Sequence, residues 1–473
     1  MDQQHPVRIG KEQVTTDEAM AVTSPYDGHQ IGAVPKCTPG HVDQAVAAAK
    51  AALAEPLPAW RRAEILERAA DLLVEQRDRF AGLIADEAAK PIGTARTEAE
   101  RCVLTFRFAA AEARTLTGDM VPMEGAAPGE GKIGFTLRVP IGIIGAITPF
   151  NFPLNLVAHK LAPAIAAGCP VVLKPASQTP FSAIALSELL LDECGLPPGW
   201  LNVVTGGGGS VGDPLVEHPD VAMITFTGSP DVGWAIRAKA SRKKVSLELG
   251  NNSPLVIDAS GDWEKAAKKV KTAGFSHAGQ SCISTQRIYV QRSVHDDFVA
   301  ELVSQVKDLV IGDPMDENTD VSALISPDET ERVTDWIREA VDGGAKVEVG
   351  GEIVGRLLQP TVLTGTTADM KVCSNEVFGP VVAVEPFDDL DEALARANDT
   401  HYGLQAALFT ADLAAALKAA RTLDFGGVMV NEVPTFRTDQ MPYGGLRDSG
   451  NTREGPAHAV REMTEERLVV LQA

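Results

Sequence analysis

The apolar positions in the first third of the chain recur at spacings of three and four residues. Between Arg61 and Lys90 they form one stripe, which stops before Pro91. Because a helix completes a turn in about 3.6 residues, this spacing predicts a single long amphipathic helix. A second helix is predicted from about Thr97 to Leu116 and is closed by Gly118.

From about residue 139 the pattern changes to short apolar runs that alternate with helical segments. The predicted strands are Ile141–Ile147, Pro170–Leu173, Leu201–Val204, Ala222–Phe226 and Val245–Leu249. The helices predicted between several of them lie near Leu154–Ala167, Ser182–Cys194 and Asp231–Ala240. This alternation predicts an α/β fold with a parallel sheet, and such sheets bind ligands at the carboxyl ends of their strands.

The alternation resumes beyond Gly250, so two α/β units are expected to meet near that residue. The predicted strands of the second unit are Leu255–Asp258, Arg287–Val290, Val381–Val384 and Leu404–Phe409. Its predicted helices lie near Trp263–Phe275 and Val294–Leu309. The apolar segment Arg467–Ala473 predicts a terminal strand, which would pair inside the fold or across a subunit boundary.

Charge and composition argue against nucleic acid and membranes as partners. The 473 residues include 43 Lys and Arg against 64 Asp and Glu, which gives a formal net charge of −21. A chain this acidic repels phosphate backbones and anionic lipid surfaces. Residues 139–158 carry no charge, but three prolines interrupt them, which disfavours a membrane span.

The cysteines and histidines favour a reducing compartment and no metal site. Residues 1–10 lack the apolar core of a signal peptide, and no two cysteines have CxxC spacing. None of the nine histidines falls into ligand spacing with a cysteine or another histidine. We therefore expect a cytoplasmic protein without a metal. The six scattered cysteines are Cys37, Cys102, Cys169, Cys194, Cys282 and Cys373.

Two residues are candidates for covalent and acid–base chemistry. Cys282 lies in a polar loop of small residues, Gly279–Ser284, where a thiolate can be hydrogen-bonded and approached by a substrate. A lone intracellular cysteine is more often a packing residue. Glu248 closes an alternating strand just before Gly250, which is the position expected of a general base. The alternative for Glu248 is a solvated carboxylate at a strand end.

Other strand ends carry groups that could bind an oxyanion or a dinucleotide. The Asn151 amide could donate to a developing oxyanion, although an asparagine flanked by prolines also suits a turn. Lys174 could reach a ribose or phosphate, or be a surface lysine. Gly207, Gly209 and Gly212 satisfy a GxGxxG pattern, and Gly228-Ser229 joins a strand to a helix whose N–H groups could hold a pyrophosphate.

These motifs together resemble those of the aldehyde dehydrogenase superfamily in order and spacing. The resemblance runs from about Ser24 to the C-terminus and includes Glu376–Pro380 and Pro442–Gly450. It implies a Rossmann-like dinucleotide-binding domain over residues 1–117 and 139–247 and a catalytic domain over 248–448. It also implies a small bridging element over 118–138 and 449–473, which completes a sheet in a neighbouring subunit of a homodimer or homotetramer.

The resemblance also implies the roles of the site residues. Cys282 would attack the aldehyde carbonyl, the Asn151 amide and the Cys282 backbone N–H would form the oxyanion hole, and Glu248 would activate water to release the acid. The cofactor, NAD or NADP, would be bound by twelve residues: Thr148, Pro149, Phe150, Lys174, Pro175, Ala176, Ser177, Gly228, Ser229, Leu249, Glu376 and Phe378.

Three departures from the family pattern stand out. Many NAD-preferring members carry glutamate at the position of Ser177, where it repels a 2′-phosphate, so Ser177 predicts acceptance of NADP. Pro230 replaces a common threonine, and Asn251-Asn252 departs from the usual residues there. The sequence assigns no consequence to either of these two changes.

The predicted substrate is a small anionic aldehyde. Arg101 and Arg437 match arginines of relatives that bind anionic substrates, and His159 replaces a bulky aromatic residue. Ser281 and Ser284 stand where some of those relatives place a further arginine. The relatives meant are lactaldehyde, phosphonoacetaldehyde, sulfolactaldehyde and non-phosphorylating glyceraldehyde-3-phosphate dehydrogenases. A succinate-semialdehyde-type enzyme and a catalytically silent nucleotide-binding scaffold are the alternatives.

Overall fold

The computed structural model describes residues 4–472, whose strands form three larger sheets and three two-stranded pairs. In chain order the strands are β1 (Val7–Ile9), β2 (Glu12–Val14), β3 (Ala19–Thr23), β4 (Gln30–Pro35), β5 (Met120–Val121), β6 (Lys132–Pro140), β7 (Ile143–Ile147), β8 (Val171–Lys174), β9 (Leu201–Val203), β10 (Val221–Thr227), β11 (Lys244–Glu248), β12 (Pro254–Ile257), β13 (Arg287–Gln291), β14 (Lys346–Val349), β15 (Ile353–Val354), β16 (Leu357–Leu358), β17 (Thr361–Thr364), β18 (Val381–Phe387), β19 (Gln405–Phe409), β20 (Gly427–Val430) and β21 (Thr464–Gln472).

The helices pack mainly against one another and against the five-stranded and seven-stranded sheets. In chain order they are α1 (Pro39–Leu53), α2 (Ala59–Glu75), α3 (Arg77–Ala88), α4 (Ile92–Thr115), α5 (Asn155–Ala167), α6 (Phe181–Glu188), α7 (Asp213–Glu217), α8 (Pro230–Lys239), α9 (Trp263–Ala273), α10 (Arg292–Lys307), α11 (Pro327–Asp342), α12 (Lys371–Ser374), α13 (Leu390–Asn398), α14 (Leu413–Thr422) and α15 (Pro456–Glu462). Single 3-10 turns lie at Met123–Gly125, Ala127–Gly129, Ser276–Gly279 and Arg447–Ser449, and π turns at Leu189–Glu193 and Gly208–Gly212.

A five-stranded parallel sheet forms the centre of the first half of the chain. Its strand order is β11-β10-β7-β8-β9, and every pairing is parallel. Because β7 and β8 are central, their apolar residues are buried on both faces, which explains the uninterrupted apolar runs in the sequence. The parallel sheet predicted from the alternation is confirmed.

A seven-stranded sheet forms the centre of the second half. Its order is β14-β17-β18-β13-β12-β19-β20, with β14 antiparallel at one edge and the other pairings parallel. The five-stranded sheet and its helices share one apolar core, which includes Phe80, Phe106 and Trp200. The seven-stranded sheet has a separate core on each face, one around Phe298 and one around Phe387.

A three-stranded antiparallel sheet joins the middle of the chain to its end. Strand β21 pairs with β6 from Thr464 to Gln472, and β6 pairs with β5. This sheet exposes apolar side chains, among them Leu468 at 57% exposure. The expected terminal strand therefore exists, although Ala473 lies outside the described residues. The domain limits implied by the family resemblance stay a prediction.

The prediction of one long helix over residues 61–90 is wrong, because the structure divides this segment into α2 and α3. The break lies at Gln76, whose φ of −103° and ψ of 16° are not helical. Both helices pack against α4, so the apolar stripe continues across the break and the periodicity does not reveal it. Helix α4 begins at Ile92, directly after Pro91, because proline is tolerated at a helix start. Within residues 4–472, no helix has the length and apolar character needed to cross a membrane.

Candidate active site

The carboxyl ends of four neighbouring strands bring the candidate residues to one edge of the five-stranded sheet. Asn151 follows β7, Lys174 ends β8, Gly228-Ser229 follows β10 and Glu248 ends β11. A cavity of about 670 Å³ opens at this edge. Its lining includes twelve of the predicted cofactor or catalytic residues: Thr148, Pro149, Phe150, Asn151, Lys174, Ala176, Gly228, Ser229, Leu249, Cys282, Glu376 and Phe378.

Cys282 reaches this cavity from a tight turn that precedes β13. His277, Ala278 and Gly279 all have positive φ there, and a Cβ at Gly279 would collide with the Gly379 carbonyl. The Cys282 side chain is half-buried, and its Sγ lies 2.8 Å from the Tyr443 hydroxyl. Burial raises the pKa of Cys282 to about 12. The resting thiol is therefore protonated at neutral pH.

Asn151 is placed to bind an oxyanion near Cys282. Its Nδ2 donates to the Gln280 carbonyl at 2.9 Å, and its Oδ1 is buried without a hydrogen-bond partner. An amide nitrogen carries two protons, so one N–H remains for a substrate oxygen. Asn151 and Gln280 thus connect the end of β7 to the loop that carries the thiol.

A buried ion pair holds the backbone at Asn151. Lys90 Nζ lies 2.5 Å from Glu98 Oε2 and donates to the Asn151 carbonyl at 2.6 Å, and neither side chain of the pair is exposed. Glu98 Oε1 accepts from the backbone N–H of Leu154 and of Asn155, at 2.9 and 3.0 Å. Glu98 therefore caps the start of α5. Its place on the apolar face of α4 was a signal that the sequence reasoning missed.

Glu248 is buried beside the same site without a hydrogen-bond partner for either oxygen. Burial, and next the Glu454 carboxylate, raise the pKa of Glu248 well above its ordinary value. A Cβ at Gly444 would lie 2.7 Å from Glu248 Oε1, so the glycine leaves room for this carboxyl. The carboxyl must lose its proton before it can activate water.

The cavity fits a dinucleotide in shape and in donors. The Ser229 side chain makes no capping hydrogen bond at the start of α8, so first-turn N–H groups are available to an anion. Lys174 is buried and its Nζ contacts only the Pro175 carbonyl in the hydrogen bonds described, at 3.4 Å. Both glycine patterns border the cavity, since Gly208 and Gly212 line it beside Gly228.

Glu376 and Phe378 border the cavity from the second half of the chain. Glu376 Oε1 accepts from the backbone N–H of Asn251 at 3.0 Å, and burial raises the pKa of Glu376 to about 7. A Cβ at Gly250 would collide with the Glu376 carboxylate. The Phe378 and Phe150 rings meet edge to face, with centroids 5.8 Å apart. Asn251, which the sequence left without a role, therefore orients Glu376.

Ser177 lies beside the cavity lining rather than within it. Its neighbours Ala176 and Gln178 line the cavity, whereas the Ser177 hydroxyl donates to the Gly206 carbonyl at 3.2 Å. The predicted contact of Ser177 with a 2′-phosphate stays a prediction.

The three predicted substrate residues belong to a cluster of buried or half-buried polar side chains. Asp439 Oδ1 lies 2.9 Å from Arg101 Nη2 and 3.0 Å from His159 Nε2. Arg437 Nη2 lies 3.2 Å from His159 Nε2. None of Arg101, His159 and Arg437 is among the residues lining the 670 Å³ cavity. We call the following set the cationic cluster: Arg101, His159, Lys160, Arg437, Asp439 and Glu454.

The cationic cluster has a positive balance. Arg437 Nη2 donates to Glu454 Oε2 at 2.9 Å, and Lys160 Nζ lies 3.4 Å from Glu454 Oε1. Burial and then the Arg437 charge lower the pKa of His159, so His159 is neutral. Lys160 and Arg437 outweigh burial and lower the pKa of Glu454 to about 2. Three formal cations therefore face two carboxylates, and Arg437 Nε is buried without a partner.

Sequence reasoning missed several residues of this site, namely Lys90, Glu98, Lys160, Asp439, Tyr443 and Glu454. Lys160 and Glu98 stand out as charges within apolar helical faces, which is a usable signal. The others lie in irregular segments, where no periodicity marks them. Within residues 4–472, no group of three or more His, Cys, Asp or Glu side chains is arranged to hold a metal ion.

Comparison with known proteins gives matches over almost the whole chain. Residues 12–469 match the model of the aldehyde dehydrogenase family. A 3-sulfolactaldehyde dehydrogenase from Priestia aryabhattai is 48% identical over 468 residues, which cover 99% of this chain and 98% of that protein.

Solved structures agree in fold over the same length. Aldehyde dehydrogenase 21 from Physcomitrella patens, in complex with its product succinate, has a TM-score of 0.96 and 37% identity, covering 100% of this chain and 99% of that one. Glyceraldehyde-3-phosphate dehydrogenase GapN from Methanocaldococcus jannaschii, complexed with NADP, has a TM-score of 0.93 and 38% identity, covering 97% of this chain and 100% of that one.

Proposed function

The chain belongs to the aldehyde dehydrogenase family, and from this premise we propose that its site oxidises a short aldehyde with a phosphonate, sulfonate or phosphate tail. The chain is an NAD(P)-dependent aldehyde dehydrogenase that acts on a small anionic aldehyde. Membership of this family also argues against a catalytically silent nucleotide-binding scaffold, because the relatives named above are dehydrogenases. We assign this chain's own residues to the steps of that reaction from their contacts and burial.

Acylation begins at Cys282. The thiol gives its proton to solvent water, Sγ bonds to the aldehyde carbon and the carbonyl oxygen becomes an oxyanion. The free Asn151 N–H donates to that oxygen, and the Lys90–Glu98 pair holds Asn151 in place. A nicotinamide held in the cavity would supply the acceptor for the hydride that the carbon loses. A thioester on Cys282 remains.

Deacylation requires Glu248. A water molecule gives its proton to the Glu248 carboxylate and its oxygen attacks the thioester carbon. The carbon–sulfur bond breaks and the acid leaves, and Glu248 passes the proton that it took from water to the Cys282 thiolate. Because burial raises the pKa of Glu248, this step speeds up as pH rises through that pKa.

The cavity residues suit the dinucleotide. Lys174 would bind the adenosine ribose, the start of α8 the pyrophosphate, and Glu376 with Phe378 the nicotinamide ribose. The domain made of residues 1–117 and 139–247 would hold most of these contacts. Ser177 supports the proposal that NADP is accepted, since no carboxylate stands there to repel a 2′-phosphate.

One observation carries the anionic substrate: the positive balance of the cationic cluster in a chain of formal net charge −21. A desolvated guanidinium binds an oxyanion group through paired N–H donors. Arg437 Nε still lacks a partner and Arg101 is one quarter exposed, at 25%. Both arginines therefore retain donors for a substrate tail.

The test compares Arg101→Ala with Arg107→Ala, an exposed arginine on the same helix. Steady-state kinetics are measured with glyceraldehyde 3-phosphate, succinate semialdehyde and uncharged propanal. Arg101→Ala should raise KM for its anionic substrate about tenfold or more, because a charge-assisted hydrogen bond is lost. KM of Arg101→Ala for propanal should equal the wild-type value, and so should every kinetic constant of Arg107→Ala. An equal change for charged and uncharged aldehydes overturns the proposal.

A succinate-semialdehyde-type activity is the second candidate. It is favoured by the 37% identity to aldehyde dehydrogenase 21, whose structure contains succinate. The same panel decides between them, since succinate semialdehyde carries a planar carboxylate of one negative charge and glyceraldehyde 3-phosphate a larger, tetrahedral phosphate. The higher kcat/KM identifies the preferred class.

We further propose a homodimer or homotetramer in the cytoplasm. The apolar side chains exposed on β21 and β6, such as Leu468 and Ile133, support burial against a second subunit. All six cysteines are free, which suits a reducing compartment. Light scattering of the purified chain would test the assembly, and a monomeric mass would contradict it.

A further inference from the structure

Tyr443 is a buried phenol whose hydroxyl meets the reacting sulfur. Its side chain packs with Ile283 and Leu404 beside Cys282, and only 2% of the residue is exposed. A buried phenol requires a hydrogen-bond partner, and here that partner is Cys282 Sγ at 2.8 Å. The contact joins residues far apart in sequence, so it depends on the folded site.

Contacts to the backbone and to the ring hold Tyr443 in place. Its backbone N–H donates to the Glu454 carbonyl at 3.1 Å, and the Glu454 N–H donates back at 2.5 Å. The Glu454 carboxylate binds Arg437, whose guanidinium carbon lies 3.7 Å from the centre of the Tyr443 ring. A cation over an aromatic face is attracted to it, and it draws electron density from the phenol, which makes the O–H a better donor.

The charges around Cys282 show what this donor does. Arg437 and Tyr443 lie near the sulfur, and Glu248 and Glu376 supply the acidic groups near it. The two acidic groups and burial disfavour a thiolate, whereas the Tyr443 hydrogen bond favours it. Without a donor, the thiolate that attacks the aldehyde would be left unpaired in a half-buried site.

We propose that the Tyr443 phenol donates a hydrogen bond to the Cys282 thiolate and, as a catalytic residue, stabilises the nucleophile while Arg437 holds the ring. The proposal rests on the role proposed above for Cys282. It links the tail-binding arginine to the sulfur through a single aromatic ring.

The test measures the thiol directly, without aldehyde or dinucleotide. Iodoacetamide is added to wild type, to Tyr443→Phe and to a matched control from about pH 7 to about pH 10. The control is Tyr289→Phe, which removes the hydroxyl of a buried phenol in the core of the seven-stranded sheet. Alkylation of Cys282 is followed by mass spectrometry of its peptide. Circular dichroism and melting temperature check that each variant is folded.

Tyr443→Phe should alkylate about three to ten times more slowly at each pH, with its profile moved to higher pH. A lost hydrogen bond to a charged group lowers the thiolate population, and the higher basicity of the remaining thiolate offsets part of that loss. Tyr289→Phe should follow wild type. Superimposable profiles would overturn the proposal, and faster alkylation of Tyr443→Phe would show that the S–H donates to the phenol instead.

A second variant covers the case in which Tyr443→Phe does not fold. Site-specific 3-fluorotyrosine at position 443 keeps the phenol and makes it more acidic, and therefore a stronger donor to the thiolate. Alkylation of Cys282 should speed up, and an unchanged rate would contradict the proposal. Failure of the catalytic role of Cys282 would be seen separately, as aldehyde oxidation that survives Cys282→Ser. The alkylation profiles would not depend on that result.

Discussion

Glu98→Gln tests whether the buried ion pair sets up the oxyanion hole. The change keeps the size of the side chain and an oxygen that can accept from Leu154 and Asn155. It removes the charge that faces Lys90 Nζ at 2.5 Å, where neither side chain is exposed. An ammonium group is then left buried, with the Asn151 carbonyl and the Phe152 ring as its remaining described partners.

The expected loss of stability is large for a single isosteric change. Removing one partner of a buried pair costs about 3–5 kcal/mol, because the other charge stays desolvated. The double variant Lys90→Met/Glu98→Gln removes that charge and should recover about 1–3 kcal/mol of the loss. Turnover of the Glu98→Gln variant should also fall, with kcat affected more than KM, because Asn151 loses its fixed position.

The assay is urea unfolding at one fixed protein concentration, since subunit association would otherwise add to the measured free energy of unfolding. Glu317→Gln is the control, because it breaks the exposed pair with Arg96 and should leave the unfolding midpoint unchanged. A Glu98→Gln loss below about 1 kcal/mol, or a double variant less stable than the single one, would refute the reasoning.

Three further substitutions and one pH profile test the rest of the site. Glu248→Gln should keep a first burst of NADPH but lose steady turnover about a hundredfold, because acylation does not need this carboxylate; loss of burst and turnover together would contradict it. In wild type, a kcat that is limited by deacylation should rise with pH through a pKa above the usual carboxyl value of about 4.3, because burial raises the pKa of Glu248. Only the ionised carboxylate accepts a proton from water, so a flat pH profile would contradict this prediction. Gly250→Ala should weaken NADP binding in a fluorescence titration, because the added Cβ displaces Glu376; an unchanged Kd argues against that contact. Ser177→Glu should lower kcat/KM for NADP relative to NAD about tenfold or more, and an unchanged ratio would remove Ser177 from the cofactor site.

The strand ends of the site were predictable because they follow from local patterns. Apolar runs of strand length placed Asn151, Lys174 and Glu248 at the carboxyl ends of three strands, and parallel pairing brings such ends to one edge. The same patterns did not show the break at Gln76, since the apolar stripe runs through it on both helices. Periodicity reports which face is buried, and it is silent on a local loss of helical geometry.

The polar contacts within the site were not predictable from one sequence. Tyr443 is 161 residues from Cys282, and Asp439 is 338 residues from Arg101, so nothing in the spacing links them. Their segment lies between β20 and α15 and has little regular structure. Glu98 differs, because a charge on a buried helical face requires a partner, and its position alone predicts a buried ion pair.

The central claim is that the aldehyde carbon becomes covalently bound to Cys282. Rapid acid quenching of Glu248→Gln with NADP and a preferred anionic aldehyde, followed by mass spectrometry of its peptides, measures this directly. The account predicts an acyl group on the peptide that contains Cys282, in an amount equal to the NADPH of the burst. NADPH formed while that peptide stays unmodified, or an acyl group on another residue, would contradict it.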